Sequence, residues 1–178
     1  MKEIFLVRHG EARLPWSSGQ DAGLSERGHE QAAAVAARLS SLGAYGLISS
    51  PLLRARETAL PLCRAQCRQP QLDARFSEVP IANDVARRKA WLTDVAQGTW
   101  DDVDARIVDW REAAWAALAE LPQSTIIFTH FMLINALVTR ATNDPRLVSF
   151  EPDYASVTRL TLDVAGCCTL VTPGRASS

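Results

Sequence analysis

Apolar residues cluster along this chain in short unbroken runs, and the first of them sets the pattern. Ile4-Phe5-Leu6-Val7 has no polar interruption, so it predicts a strand buried on both faces. It ends abruptly in Arg8-His9-Gly10-Glu11. The stretch Ser124–Thr129 repeats the pattern: an apolar run, then His130, then an apolar helix over 131–140. Tyr45–Ile48 predicts a shorter strand, and Leu72–Phe76 another. Near the C-terminus, Leu160, Leu162 and Val164 alternate with Thr161 and Asp163, Ala165-Gly166 turns, and Thr169–Thr172 returns, as in a hairpin. Residues 173–178 read as a frayed tail.

Helical spacing fills the intervals between these runs. Ala32, Val35, Leu39 and Leu42 form one stripe, opened by Ser25 as N-cap and closed by Gly43. A second helix starts after Ser50-Pro51, with Ser50 as cap and Pro51 at the first helical position. Pro61 falls inside this helix, and Arg56 and Glu57 are expected in exposed ion pairs. Residues 83–121 read as two helices parted at Gly98, capped by Asn83 or Asp84 and by Asp101 or Asp102. Ile107, Trp110, Ala114, Leu118 and Leu121 form the second stripe. Four tryptophans, Trp91, Trp100, Trp110 and Trp115, fall in this segment, which is expected to cover one end of the sheet as a small helical cap.

Strands alternating with helices predict an α/β fold, a three-layer α/β/α arrangement with a mostly parallel central sheet and a C-terminal hairpin. In such a sheet the carboxyl ends of the strands share one edge, where ligands bind. Arg8 and His9, Arg54, and His130 each follow a strand end. The fold would gather two arginines and two histidines at one edge, a set suited to a compact dianion. Arg54 also stands in the first turn of a helix, where its charge adds to the helix dipole. Taken singly, each residue also fits an ordinary solvated strand end. Glu78, in the loop Ser77-Glu78-Val79-Pro80, reads alone as a solvated charge. Trp16, in the loop 10–23, either covers a ligand or packs down.

Composition narrows the function classes. A chain of 178 residues is expected to form a single domain, burying about 70% of its unfolded surface. A formal net charge of −1 provides no general attraction to nucleic acid or to an anionic membrane, so any anion site must be local. The only lysines are Lys2 and Lys89, leaving arginine as the main cation. Cys63, Cys67, Cys167 and Cys168 match no metal or redox spacing and read as reduced thiols of a cytoplasmic protein. No apolar run approaches a membrane span, and the N-terminus lacks the pattern of a signal peptide. With three histidines and no carboxylate at ligand spacing from them, no metal site is expected.

Five segments together carry a family resemblance. They are Arg8-His9-Gly10-Glu11, Leu24-Ser25-Glu26-Arg27-Gly28 with Gln31-Ala32, Ser50-Pro51-Leu52-Leu53-Arg54-Ala55 with Thr58-Ala59, Glu78, and Thr129-His130. In this order the chain resembles the histidine phosphatase superfamily, the phosphoglycerate-mutase-like enzymes. The resemblance implies a metal-independent phosphoric monoester hydrolase needing no cofactor. His9 would be the nucleophile that carries a phosphohistidine. Arg8, Arg54 and His130 would hold the phosphoryl oxygens, and Glu78 would serve as general acid and base. It further implies a small phosphorylated metabolite as substrate. A phosphohistidine protein, or a silent phosphate-binding module, are the alternatives. Phe131 departs from the family pattern, which has glycine after the second histidine, and Ala12 replaces the usual Thr or Ser. The chain is also shorter than the mutase branch, so it reads as a phosphatase.

Overall fold

The computed structural model describes residues 1–81, 85–95, 98–163 and 168–174. The expected cap at Asn83 or Asp84, the turn Ala165-Gly166, Cys167 and the end of the tail from 175 lie outside the described residues. Six strands form one sheet: β1 (Lys2–Arg8), β2 (Gly46–Ser49), β3 (Gln71–Leu72), β4 (Thr125–Thr129), β5 (Val157–Leu162) and β6 (Cys168–Thr172). Their order is β3-β2-β4-β1-β5-β6. The first four in that order run parallel, whereas β5 is antiparallel to β1 and pairs with β6 as a hairpin.

The two-residue period of β1 builds both halves of the core. Ile4 and Leu6 face one side, where they join Ile127 and Leu160 under α4 (Ala105–Glu120) and α5 (Phe131–Thr142). Phe5 and Val7 face the other, with Ile126 and Phe128 under α1 (Glu26–Leu39) and α2 (Leu53–Ala65). This is the expected three-layer arrangement, with the sheet covered by helices on both faces.

Several local expectations change. Helix α1 ends at Leu39 rather than at Gly43, because Ser40 and Ser41 turn their hydroxyls onto the carbonyls of Ala37 and Arg38. Helix α2 begins at Leu53, two residues past Pro51, and Ser50 is not its cap. Instead Asp21, from the loop after β1, accepts from Leu53 N at 2.9 Å. The Leu72–Phe76 stretch is a two-residue strand followed by a 3-10 turn at Ala74–Phe76. Among the described residues Glu57 has no ion-pair partner; its carboxylate accepts from Leu24 N at 2.6 Å and closes the loop 10–23.

The stretch expected to cover the site divides in two. Helix α4 belongs to a main layer: Ala114 and Ala117 let it lie close to the sheet, and Leu118 enters the core. Helix α3 (Val85–Val95) is the part beside the site, through Trp91. Trp100 is buried and donates through Nε1 to Thr139 Oγ1, and Trp110 donates to Ser77 O, so both are structural.

One contact fixes the turn after β1 against α1. A Cβ added at Gly28 would stand 2.1 Å from Glu11 O, and one at Gly10 would stand 2.6 Å from Gly28 O. Glu11 N also donates to Gln31 Oε1, and Ser25 Oγ donates to Glu11 Oε1. Glycine-to-alanine exchange inside a helix ordinarily stabilises. At Gly28 the sign should reverse, with a loss of about 1–3 kcal/mol in urea unfolding as the two backbones are forced apart. A Gly28→Ala variant as stable as the parent would show that this approach is not close.

Candidate active site

Three neighbouring parallel strands end side by side, and each delivers one group to the same edge. Register pairs Arg8 with Thr129 and Ser49 with Phe128. The chain continues by one residue from each strand. His9 N donates to Thr129 O, and Ser50 N donates to Phe128 O. His9 and His130 therefore come to stand together, with ring centroids 5.3 Å apart. Ser50, displaced from its expected capping role, shares a 2.8 Å hydrogen bond with His130 Nε2.

Strand parity also separates the two residues of the Arg-His pair. Arg8 follows Ile4 and Leu6, and its guanidinium lies 5.1 Å from the Phe131 ring at the start of α5. His9 follows Phe5 and Val7 and meets Arg54 in the first turn of α2. Gly10 N donates to Thr58 Oγ1, which in turn donates to Arg54 O, so the turn after β1 is tied to the same helix.

The His9 ring has a defined tautomer. Its Nδ1 lies 2.7 Å from Gly10 O, and a carbonyl only accepts, so Nδ1 carries the proton. Nε2 then presents a lone pair, which receives a hydrogen bond from Arg54 Nε at 3.2 Å. Burial, followed by the charge of Arg54, pushes the His9 pKa down to about 3, against the opposing bond to Gly10. His130 is fully buried and is held neutral by burial first, then by Arg54 and His9. Both imidazoles are thus neutral rather than cationic. Positive charge at this edge resides on Arg8 and Arg54.

Arg8 donates through Nη1 to Pro152 O at 2.8 Å. Its Nε is buried without a partner, and its guanidinium lies 4.0 Å from the centroid of the Tyr154 ring. Glu78 comes from the loop after the 3-10 turn, held by a bond from Thr129 Oγ1 to Phe76 O. Its Oε1 accepts from Val79 N at 3.0 Å. Its other oxygen lies 3.5 Å from Met132 N in the first turn of α5. Burial raises the Glu78 pKa, outweighing these bonds and the nearby arginines.

Arg8, His9, Arg54 and Glu78 line one cavity of about 290 Å³. His130 does not line it; it stands beneath, against the His9 ring. The rest of the wall includes Leu14, Trp16, Trp91, Phe131 and Tyr154. Sequence reading did not single out Tyr154, Asp21 or Ser50 as site residues. Tyr154 had only its aromatic character, ahead of β5, to mark it. Among the described residues no three His, Cys, Asp or Glu side chains are grouped to hold a metal ion. Nor is any helix there long and apolar enough to cross a membrane.

Comparison with known proteins adds an independent line. The profile of the histidine phosphatase superfamily (branch 1) matches residues 4–172. A Citrobacter koseri protein named "Probable phosphoglycerate mutase GpmB" is 30% identical over 164 residues, covering 78% of this chain and 74% of the relative. Among solved structures, a mycobacterial glucosyl-3-phosphoglycerate phosphatase in complex with VO3 superposes with a TM-score of 0.78 at 24% identity, covering 99% of this chain and 100% of that one. YhfR of Bacillus stearothermophilus superposes at 0.81 with 19% identity, covering 99% and 98%. The structural likenesses establish the fold.

The neutral burial of His9 has a consequence for acid stability. An unfolded imidazole takes up a proton near pH 6.5, whereas folded His9 resists it down to about 3. Unfolding therefore absorbs a proton in that window, and stability falls as pH drops from about 6.5 towards 3. Between pH 7 and pH 5 the parent should lose about 2 kcal/mol more than His9→Asn in urea unfolding. Equal losses in both proteins would mean that folded His9 titrates like a free imidazole.

Proposed function

The chain belongs to the histidine phosphatase superfamily, branch 1, and from that membership we propose that it is a phosphatase hydrolysing a small phosphomonoester through a phosphohistidine on His9. The observation that carries this reading is the pairing of a neutral, oriented His9 with two arginines, Arg54 buried and Arg8 half-buried. Its Nε2 lone pair faces Arg54 Nε across 3.2 Å, at the floor of the cavity that Arg8 and Glu78 also line. An incoming phosphoryl group supplies an anion closer than the half-exposed Asp21, 3.8 Å from Arg54, and draws Arg54 onto its oxygens.

In the first step Nε2 forms a bond to phosphorus as the P–O bond to the alcohol breaks. Protonated Glu78 gives its proton to the departing oxygen. Its raised pKa suits it to hold that proton near neutrality. In the second step a water attacks phosphorus and gives its proton to Glu78. The N–P bond then breaks, returning neutral His9 and inorganic phosphate. Arg8 and Arg54 hold the phosphoryl oxygens in both steps, and His130 adds a donor beside the His9 ring. Losing any one of these three should cost about 10²–10³ in rate.

The assignment is tested by rapid quench with a phosphate-labelled ester. The parent should yield acid-labile, base-stable label on the protein, and His9→Ala should yield none and lose turnover. Turnover with no labelled protein at the shortest times would remove the covalent step.

Glu78 is tested by leaving group. Glu78→Gln should slow alkyl phosphates far more than p-nitrophenyl phosphate, whose phenolate leaves without a proton. Equal slowing of both classes would take Glu78 out of the acid role.

A further inference from the structure

The wall of the cavity above the phosphate-binding groups is apolar and largely aromatic, and its charges are all committed. Leu14, Trp16, Trp91, Phe131, Met132 and Tyr154 line it. Leu14 and Tyr154 are two of only six large hydrophobic side chains exposed among the described residues, and both stand at this one opening. The lining cations are Arg54, which donates to His9 Nε2, and Arg8, and both are assigned to the phosphoryl group in the proposed mechanism. Beyond them and His9, the ionisable lining is Glu78 and the phenol of Tyr154, neither of them a cation. A carboxylate or second phosphate on the leaving alcohol would meet aromatic faces and an acid, with no further cation on the wall among the described residues.

The aromatic wall is built rather than incidental. Trp16 begins a 3-10 turn that follows Pro15 and ends on Gly19 in the left-handed region (φ 75°). Its ring lies 5.8 Å from that of Trp91, tilted at 54°. The Arg88 guanidinium stacks 4.6 Å from the Trp16 ring and donates through Nη1 to Trp16 O at 2.9 Å. Arg88 lines not this cavity but the adjoining one, on the other side of Trp16, where its guanidinium is engaged by the ring and by Trp16 O. At its far end the loop is fastened by Glu57 to Leu24 N. Trp16 is therefore held in position before any ligand arrives, which removes part of the ordering cost of binding.

We propose that the preferred substrate is a phosphomonoester whose leaving alcohol carries an uncharged aromatic group, held by Trp16, Trp91 and Phe131. The assignment rests on the phosphatase reading above and adds the chemical class of the alcohol. Trp16 and Trp91 act as specificity-determining residues that touch the leaving group, remote from phosphorus.

The test compares two alkyl esters with leaving alcohols of similar acidity, benzyl phosphate and 3-phosphoglycerate. The parent should favour benzyl phosphate in kcat/KM by about tenfold or more. Trp16→Ala should reduce that ratio by about tenfold or more, chiefly through the KM for benzyl phosphate. Thermal unfolding of the variant checks that it is folded, and the ratio in the parent needs no variant at all. A parent that prefers 3-phosphoglycerate, or a folded Trp16→Ala that keeps the full ratio, would overturn the aromatic assignment while leaving the phosphatase reading intact. No turnover of either ester, and no labelled enzyme with p-nitrophenyl phosphate, would overturn both.

Discussion

The parallel pairing of β1 with β4 is the constraint on which the site depends. Register sets Arg8 opposite Thr129, so the residues one step further, His9 and His130, emerge together. A shift of one residue in either strand would turn its side chains to the other face of the sheet. The buried alternation in β1 forbids that shift. Ile4 and Leu6 belong to one core and Phe5 and Val7 to the other, both sealed by helices. The placement of His9 beside His130 is thus fixed by hydrophobic burial some distance from the rings themselves. The glycine contact of Gly10 with Gly28 transmits the same rigidity to the turn that follows.

This edge concentrates positive charge with little to balance it. Burial is the first cause lowering the pKa of Arg8 and of Arg54, of which Arg54 is buried and Arg8 half-buried. Asp21 stands 3.8 Å from Arg54, but its side chain is half exposed, so it offsets only part of the cost. Arg8 relies on the Pro152 carbonyl and on the rings of Tyr154 and Phe131. Here the departure at position 131 acquires a physical account. A glycine there would leave that side of Arg8 open, whereas the phenylalanine ring offers its π face to the cation. Aromatic faces thus take the place of water around Arg8, while Asp21 offsets part of the charge of Arg54.

Much of this was legible in the chain. The two apolar runs ending in histidine, and the Ser-Pro segment leading to Arg54, announced strand ends that the fold brings together. What was not legible depended on partners distant in sequence. Helix α2 starts at Leu53 because Asp21, 32 residues earlier, receives its first N–H; local propensity alone pointed to Ser50. Ser50 was thereby freed to meet His130, 80 residues away. Helix α4 looked like part of a cover because its stripe carries tryptophans. Yet its alanines at 114 and 117 mark close packing on the sheet. Tyr154 was invisible because an aromatic residue in a loop carries no sign of what it will face.

The apolar wall and the raised pKa of Glu78 are two results of the same exclusion of water. Trp16, Trp91, Phe131 and Met132 cover the cavity that Glu78 lines, and burial is the first cause of its upward shift. An aromatic leaving group seated there would displace more water from around the carboxyl. That would favour its protonated form at the moment a proton is needed by the departing oxygen. A charged leaving group would bring its own hydration shell into the cavity and weaken that effect. On the proposed mechanism, specificity and acid catalysis would be coupled through the dielectric of one small space: the residues proposed to hold the alcohol are those that line the cavity around Glu78.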